Sequence, residues 1–302
     1  MMNNSRKSPR QWEFSSASLS YGKANVKIEV LEYNPQLKPR VEWRVGGRSF
    51  YSTDCARCFT DMKHSVARTT IYESSESSPA LKLASPEHLA PVFLMWPSRC
   101  FVVDVDCNEN GAAEVPLMDG SAFPFFLALR RYVGVPEELV FYEAPVHDEW
   151  ELFRTDSDDS SPYGSVRIVP SETFEVEYVL ERHMGACTFK SAANVSIYSA
   201  EDLYNVFAAR TFILQNEFDE ARKAGLLGGV DSSCGLLLGD STPEANVSTY
   251  RVAEEPARHK ILDLLGDLCF ANPKLPKVRL EIKNGGHLSH RTILEKVLPY
   301  AL

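Results

Sequence analysis

The chain has 302 residues, 44% hydrophobic and 24% charged, with a formal net charge of -9 and seven cysteines. These are the proportions of a soluble globular protein of one large or two ordinary domains. The acidic balance argues against a nucleic-acid surface, and no run reaches the roughly 18 apolar residues of a membrane span. An odd cysteine count scattered over a long chain fits a reducing cytoplasm, and Cys55-Ala-Arg-Cys58, with no second pair, reads as unpaired thiols.

From the N-terminus, MMNNSRKSPRQ is basic but lacks an apolar core, so residues 1–11 read as a flexible tail rather than a secretory signal. Alternating strands are expected at 25–33, 101–106, 174–180 and 277–283. Helical patterns cover 123–133, 200–212, 216–227, 259–271 and 290–302. ESSESSP (73–79) reads as a loop before the short strand LKLAS, and TDSDDSSPYGS (155–165) as a hairpin loop. The composition change near GVPEEL (134–139) places a boundary there, with one domain over 12–136 and a second over 137–302. The mixture predicts the α+β class, with antiparallel sheets each covered on one face by helices. No repeat of fixed period is present.

Three histidine settings could carry chemistry. In LASPEHLAPV, Ser85 suits an N-cap and Pro86 the first helical position, placing Glu87 and His88 in the first turn. A helix dipole there favours ionised Glu87 and neutral His88, the forms of a general base and a metal ligand. In ARHKILDLLGDL (257–268), His259, Asp263 and Asp267 fall within an arc of about 80°, opposite Ile261, Leu262, Leu264, Leu265 and Leu268. An i,i+4 His/Asp pair on one face can chelate zinc. In NGGHLSHRTIL, two glycines allow a close backbone approach to a ligand before His287, with His290 one turn further on. Taken singly, each is more simply a capped helix start, a solvated ion pair or an ordinary histidine. Together, His88, His259 and Asp263 make the three-ligand set of catalytic zinc, and Glu87 and His287 a spare acid/base pair.

Five stretches, in this order, resemble the UDP-3-O-acyl-N-acetylglucosamine deacetylases, the zinc enzymes of the committed step of lipid A synthesis. They are PEHL (86–89), VPLMDGSAFPF (115–125), AARTF (208–212) with EARKAGLLGG (220–229), RHKILDLLGDL (258–268) and NGGHLSHRTIL. The resemblance implies two domains of similar architecture, each with helices layered on sheet, and an active site between them. It implies zinc held by His88, His259 and Asp263, with ferrous iron suiting the same ligands. It assigns Glu87 as general base, His287 as general acid and Asp267 as the carboxylate that orients His287. Thr211 would donate to the oxyanion and Lys260 would face the anionic substrate. Phe212, Ile213, Leu214, Leu226 and Leu227 would border the acyl passage. The implied partner is a UDP-linked acylated amino sugar, met in the cytoplasm with transient contact at the inner membrane surface.

The chain departs from the family mostly near its start. SASLSYGK stands where the family has Gly-x-Gly-Leu-His-Ser-Gly, Pro91 and Pro97 interrupt the segment after His88, and ARTFIL lacks a glycine beside the acyl passage. Two alternatives stay open on the sequence alone. One is a zinc amidohydrolase of the same fold acting on another N-acetylated sugar, and the other is a non-catalytic relative that binds a nucleotide sugar.

Overall fold

Phe14 on one strand and Val26 and Ile28 on the next alternate with less buried residues, so each strand has one face to bury. In the computed structural model these segments form a hairpin of β1 (Arg10–Ala17) and β2 (Lys23–Val30). The structure describes residues 10–298 except 21, 33, 35, 55–62, 67–69, 75–79, 155–162, 185–186, 228–229 and 240–248. Arg10 and Gln11, expected in the tail, instead pair with Val30 and Glu29, because β2 offers backbone partners that far. Residues 1–9, the Cys55/Cys58 pair and most of both polar loops lie outside the described residues.

A second hairpin, β3 (Arg40–Val45) and β4 (Arg48–Ser52), is followed by β5 (Lys63–Val66), β6 (Thr70–Glu73), β7 (Lys82–Ala84), β8 (Cys100–Val105) and β9 (Ala112–Glu114). The first sheet has the order β1-β2-β8-β3-β4, with β8 antiparallel to β2 and parallel to β3. Strands β5-β6-β7-β9 form a separate small sheet. Helix α1 (Phe123–Val133) buries Phe125, Phe126 and Leu129 and ends at Gly134.

Next come β10 (Phe141–Tyr142), β11 (Glu149–Arg154), β12 (Tyr163–Pro170), β13 (Phe174–Met184) and β14 (Cys187–Ile197). A single turn α2 (Tyr204–Phe207) leads to β15 (Phe212–Leu214), α3 (Gln215–Lys223) and β16 (Leu236–Leu238). The chain closes with α4 (Glu255–Ala271), β17 (Leu275–Pro276), β18 (Val278–Lys283) and α5 (His287–Val297). The second large sheet has the order β11-β12-β18-β13-β14, with β18 antiparallel to β12 and parallel to β13. One arrangement is therefore built twice: two hairpins with a later strand inserted between them in the same orientation. The fold is α+β with two units of similar architecture. We propose the division between them in the connector from Gly134 to Val140, around the expected boundary at 136/137.

The expected helix over 200–212 breaks early. It is a 3-10 turn, Ala200–Leu203, then α2, and the chain runs extended into β15. Tertiary hydrogen bonds outweigh helical propensity here: the Thr211 N–H donates to Gly120 O at 2.6 Å, and Thr211 O accepts from Leu236 N–H at 2.7 Å.

Helix α4 packs against both units. At its C-terminal end Phe270 stacks on Tyr72 and packs on Trp43, while the Tyr51 hydroxyl donates to Ala271 O. Ile261, Leu262, Leu264, Leu265 and Leu268 are buried, each contributing about 1.5–3 kcal/mol. Every α4 residue is buried except Arg258 and Lys260, so the polar arc faces protein as well. At its N-terminus Glu255, fully buried, accepts from Arg210 Nε, Nη2 and backbone N–H and from Arg251 N–H. Arg210→Ala would strand that carboxylate, and urea unfolding is expected to show a loss of about 3–5 kcal/mol. A loss below about 1 kcal/mol would mean that Glu255 does not depend on Arg210.

Candidate metal centre

The sequence PEH forms a single 3-10 turn, Pro86–His88, followed by a second, Ala90–Met95, that ends at Trp96 before Pro97. Two prolines so close break the i→i+4 hydrogen-bond pattern, so no α-helix and no helix dipole stand behind Glu87 and His88. Ser85 does not cap the turn. It sits in the left-handed region, and its hydroxyl reaches Glu114 at 3.3 Å. Glu114 also accepts the N–H groups of Leu19 and Ser20 at 3.0 and 3.1 Å. One buried carboxylate thus ties the divergent SASLSYGK turn to the residue two positions before Glu87.

The turn is pressed onto α4 at Gly266. A Cβ there would stand 2.0 Å from Glu87 O and 2.5 Å from Glu87 Cα. The missing side chain lets Glu87 and His88 enter between Asp263 and Asp267. Gly266→Ala is expected to cost about 1–3 kcal/mol in thermal or urea unfolding by overpacking. It should also lower activity by about 10²-fold by moving Glu87. A variant that keeps full activity would show that the site tolerates the displacement.

His88, His259 and Asp263, all buried, bring their ligand atoms together. His88 Nε2 and His259 Nε2 lie 3.5 and 3.2 Å from Asp263 Oδ1. Tetrahedral zinc with bonds near 2.0–2.1 Å needs ligand atoms about 3.3 Å apart, so these separations fit. His259 Nδ1 is 3.2 Å from Ala209 O, so Nδ1–H donates to the carbonyl and Nε2 is left bare for a metal. The other Asp263 oxygen accepts from Lys260 Nζ at 2.9 Å. Burial works against the Asp263 charge, but His259 and Lys260 outweigh it and hold the carboxyl well below its ordinary range.

Beside this set, His287 Nε2 is 3.8 Å from Glu87 Oε1, and its Nδ1 donates to Asp267 Oδ2 at 2.8 Å. His290 Nδ1 donates to the same oxygen at 2.8 Å, and the Thr70 hydroxyl to Oδ1 at 3.0 Å. Asp267, His287 and His290 also approach one another closely enough to suggest a second metal set. The 2.8 Å separations are those of N–H···O hydrogen bonds and are shorter than a tetrahedral edge. Burial raises the Glu87 carboxyl against the opposing charges of His287 and His88. Burial disfavours the His287 charge, yet Asp267, with Glu87 and Asp263 behind it, holds that imidazole up at about 9. Asp267 itself is held down at about 2, the charges and hydrogen bonds of His287 and His290 overcoming burial.

Of the remaining expected residues, Thr211 precedes and Phe212, Ile213 and Leu214 form β15, while Leu226 and Leu227 follow α3. The Phe212 ring is 6.3 Å from that of His259 and under Lys260 Nζ at 5.6 Å. Thr211 is held between Gly120 and Leu236, and a Cβ at Gly120 would meet Thr211 Cγ2 at 2.7 Å and Cys234 O at 2.4 Å. Ile213 pairs with Leu237 in the small β15–β16 sheet, and Leu214 is buried there with Leu236 and Leu238. Leu226 is 49% exposed, while Leu227 is buried and its N–H donates to Leu19 O. The two glycines before α5 differ in what surrounds them among the described residues. Gly285 gives room to Tyr178 Oη, and nothing lies near a Cβ at Gly286.

Sequence reasoning missed the two extra donors on Asp267. Thr70 is 197 residues away and gave no signal, whereas His290 stands one helical turn from His287 and could have been paired with it.

The family model for UDP-3-O-acyl N-acetylglycosamine deacetylase matches residues 34–299. Among curated proteins, the UDP-3-O-acyl-N-acetylglucosamine deacetylase of Hahella chejuensis is 27% identical over 232 residues, covering 75% of this chain and 71% of the relative. That of Solibacter usitatus is 26% identical over 247 residues, 77% of this chain and 73% of the relative. That of Marinobacter nauticus is 27% identical over 276 residues, 89% of this chain and 79% of the relative.

Proposed function

The chain belongs to the UDP-3-O-acyl N-acetylglycosamine deacetylase family, and from that premise we propose how its residues remove the N-acetyl group of UDP-3-O-acyl-N-acetylglucosamine. The products are acetate and the free amine, and the step commits the sugar to lipid A. The observation that carries this reading is a His–His–Asp ligand set beside a separate acid/base pair, Glu87 and His287.

His88, His259 and Asp263 would hold zinc, or ferrous iron, which would supply Lewis acidity toward water and the acetamide carbonyl. Glu87 takes the proton of the attacking water, and its burial makes it a stronger base than an exposed glutamate. Thr211 donates to the oxyanion as the carbonyl carbon becomes tetrahedral. His287 gives its Nε2 proton to the sugar nitrogen as the C–N bond breaks, and Asp267 keeps that ring oriented. Lys260 meets the anionic part of the substrate, while Phe212, Ile213 and Leu226 border the acyl chain. No helix among the described residues is long and apolar enough to cross a membrane. We place the reaction in the cytoplasm, with transient contact at the membrane surface through the acylated substrate.

The acid role of His287 fixes a pH limb. Its imidazolium persists to about 9, so kcat/KM is expected to fall with rising pH only above that value. The same raised value stabilises the fold fully below about 6.5, a contribution lost as pH rises through about 9. A pH–rate profile that stays flat to about pH 10 would remove His287 from the acid role.

The function itself is tested by incubating purified protein with UDP-3-O-acyl-N-acetylglucosamine and measuring acetate and primary amine. Equal release of both is expected. Release only from acetamido sugars without the 3-O-acyl chain would replace the substrate.

A further inference from the structure

We propose that His290 is a positioning residue of the acid/base machinery: a second, uncharged N–H donor on Asp267 that locks this carboxylate and divides its charge away from His287. The proposal rests on the reading of His287 as the general acid.

The argument begins with proton placement. Asp267 Oδ2 stands 2.8 Å from both His287 Nδ1 and His290 Nδ1. An ionised carboxylate only accepts, so both rings carry a proton at Nδ1. For His287 this leaves Nε2, the atom facing Glu87, as the position that gains and loses a proton. For His290 it leaves Nε2 buried with no hydrogen-bond partner among the described residues. A proton at that nitrogen would be a buried charge without an acceptor, so His290 stays neutral and the positive charge goes to His287. Burial accordingly holds the His290 imidazole below its ordinary value.

The second consequence is rigidity. The two imidazoles approach Asp267 from planes 78° apart, and Thr70 holds the other oxygen. With donors on three sides the carboxylate has no free rotation. His290 is held in turn by its place one turn after His287 on α5 and by the Tyr178 ring, edge-on at 6.4 Å. The charged or titratable groups facing the pair are Asp267 and Asp263 from α4, Glu87 from the 3-10 turn, Tyr72 from β6 and Tyr178 from β13. Thr70 donates to Oδ1, whereas His290 is the neutral donor that shares Oδ2 with the acid His287. Without it, Asp267 Oδ2 would serve His287 alone, and the imidazolium would become more stable and a poorer acid.

The test compares zinc-loaded full-length protein with His290→Leu and His290→Asn, using ¹⁵N-labelled histidine and following the His287 Nε2 resonance through pH. His290→Leu is expected to raise the His287 midpoint by about 0.5 unit or more and to move the basic limb of the rate profile the same way. His290→Asn keeps a neutral N–H donor and is expected to restore the midpoint to within about 0.3 unit. A side chain that merely fills space would lower activity without moving either. An unmoved midpoint in folded His290→Leu, or equal displacement in both variants, overturns the proposal. If His290→Leu does not fold, the wild-type spectrum decides: slowly exchanging Nδ1–H protons assigned to both His287 and His290, apart from that of His259 on Ala209 O, support the arrangement, and the absence of the His290 proton overturns it. These resonances are read without turnover, so a wrong substrate assignment would leave the role of His290 intact.

Discussion

Glu87→Gln is expected to lower kcat by about 10²-fold or more while KM and bound zinc stay near wild type. The amide keeps the shape of the side chain and its place against α4, so the change isolates basicity. Glu87 is buried, 3.8 Å from His287 and next in sequence to His88, and burial raises its carboxyl. A ligand set containing a carboxylate is less cationic than three histidines, which leaves more of the activation of water to the base. Steady-state kinetics with zinc measured on the same preparation checks this. Unchanged kcat in a zinc-loaded variant would take Glu87 out of the mechanism.

Asp263→Ala should abolish stoichiometric zinc binding and reduce turnover by about 10³-fold or more, because the water then keeps a pKa far from neutrality. Its Oδ1 is within 3.5 Å of His88 Nε2 and 3.2 Å of His259 Nε2, so one atom completes the set for both imidazoles. The substitution also leaves Lys260 without the oxygen it contacts at 2.9 Å. Two histidines alone hold zinc weakly, and excess metal should recover only part of the activity. Metal content by mass spectrometry and turnover should fall together. Full zinc occupancy in Asp263→Ala would assign the metal to other residues.

Much of the site was legible because its residues are close in sequence. His259, Asp263 and Asp267 follow helical spacing, and the leucines between them mark the buried sides that fix α4. PEH and GGH each place an acid/base residue at the start of a short element. What could not be read depends on tertiary contacts. AEDLYNVFAARTF has helical periodicity but ends its helix at Phe207, since Gly120 and Leu236 take the backbone of Thr211. Ser85 looks like a cap but turns its hydroxyl to Glu114, 29 residues away. The doubled sheet was expected from family resemblance, and no sequence repeat revealed it. Strand pairing needs only alternation of buried and exposed positions, which unrelated residues satisfy. Gly266 passes for an ordinary helix glycine until the Glu87 backbone is seen against it. The pairing of His290 with Asp267 likewise needed the carboxylate in place.

The most direct measurement is a titration of zinc into metal-stripped protein, with acetate release from UDP-3-O-acyl-N-acetylglucosamine followed at each addition. Turnover is expected to be negligible without metal, to rise linearly and to reach its maximum at about one zinc per chain, as a single His–His–Asp site requires. Undiminished turnover in the stripped protein, or no turnover from folded protein carrying one zinc, would contradict a deacetylase built on His88, His259 and Asp263.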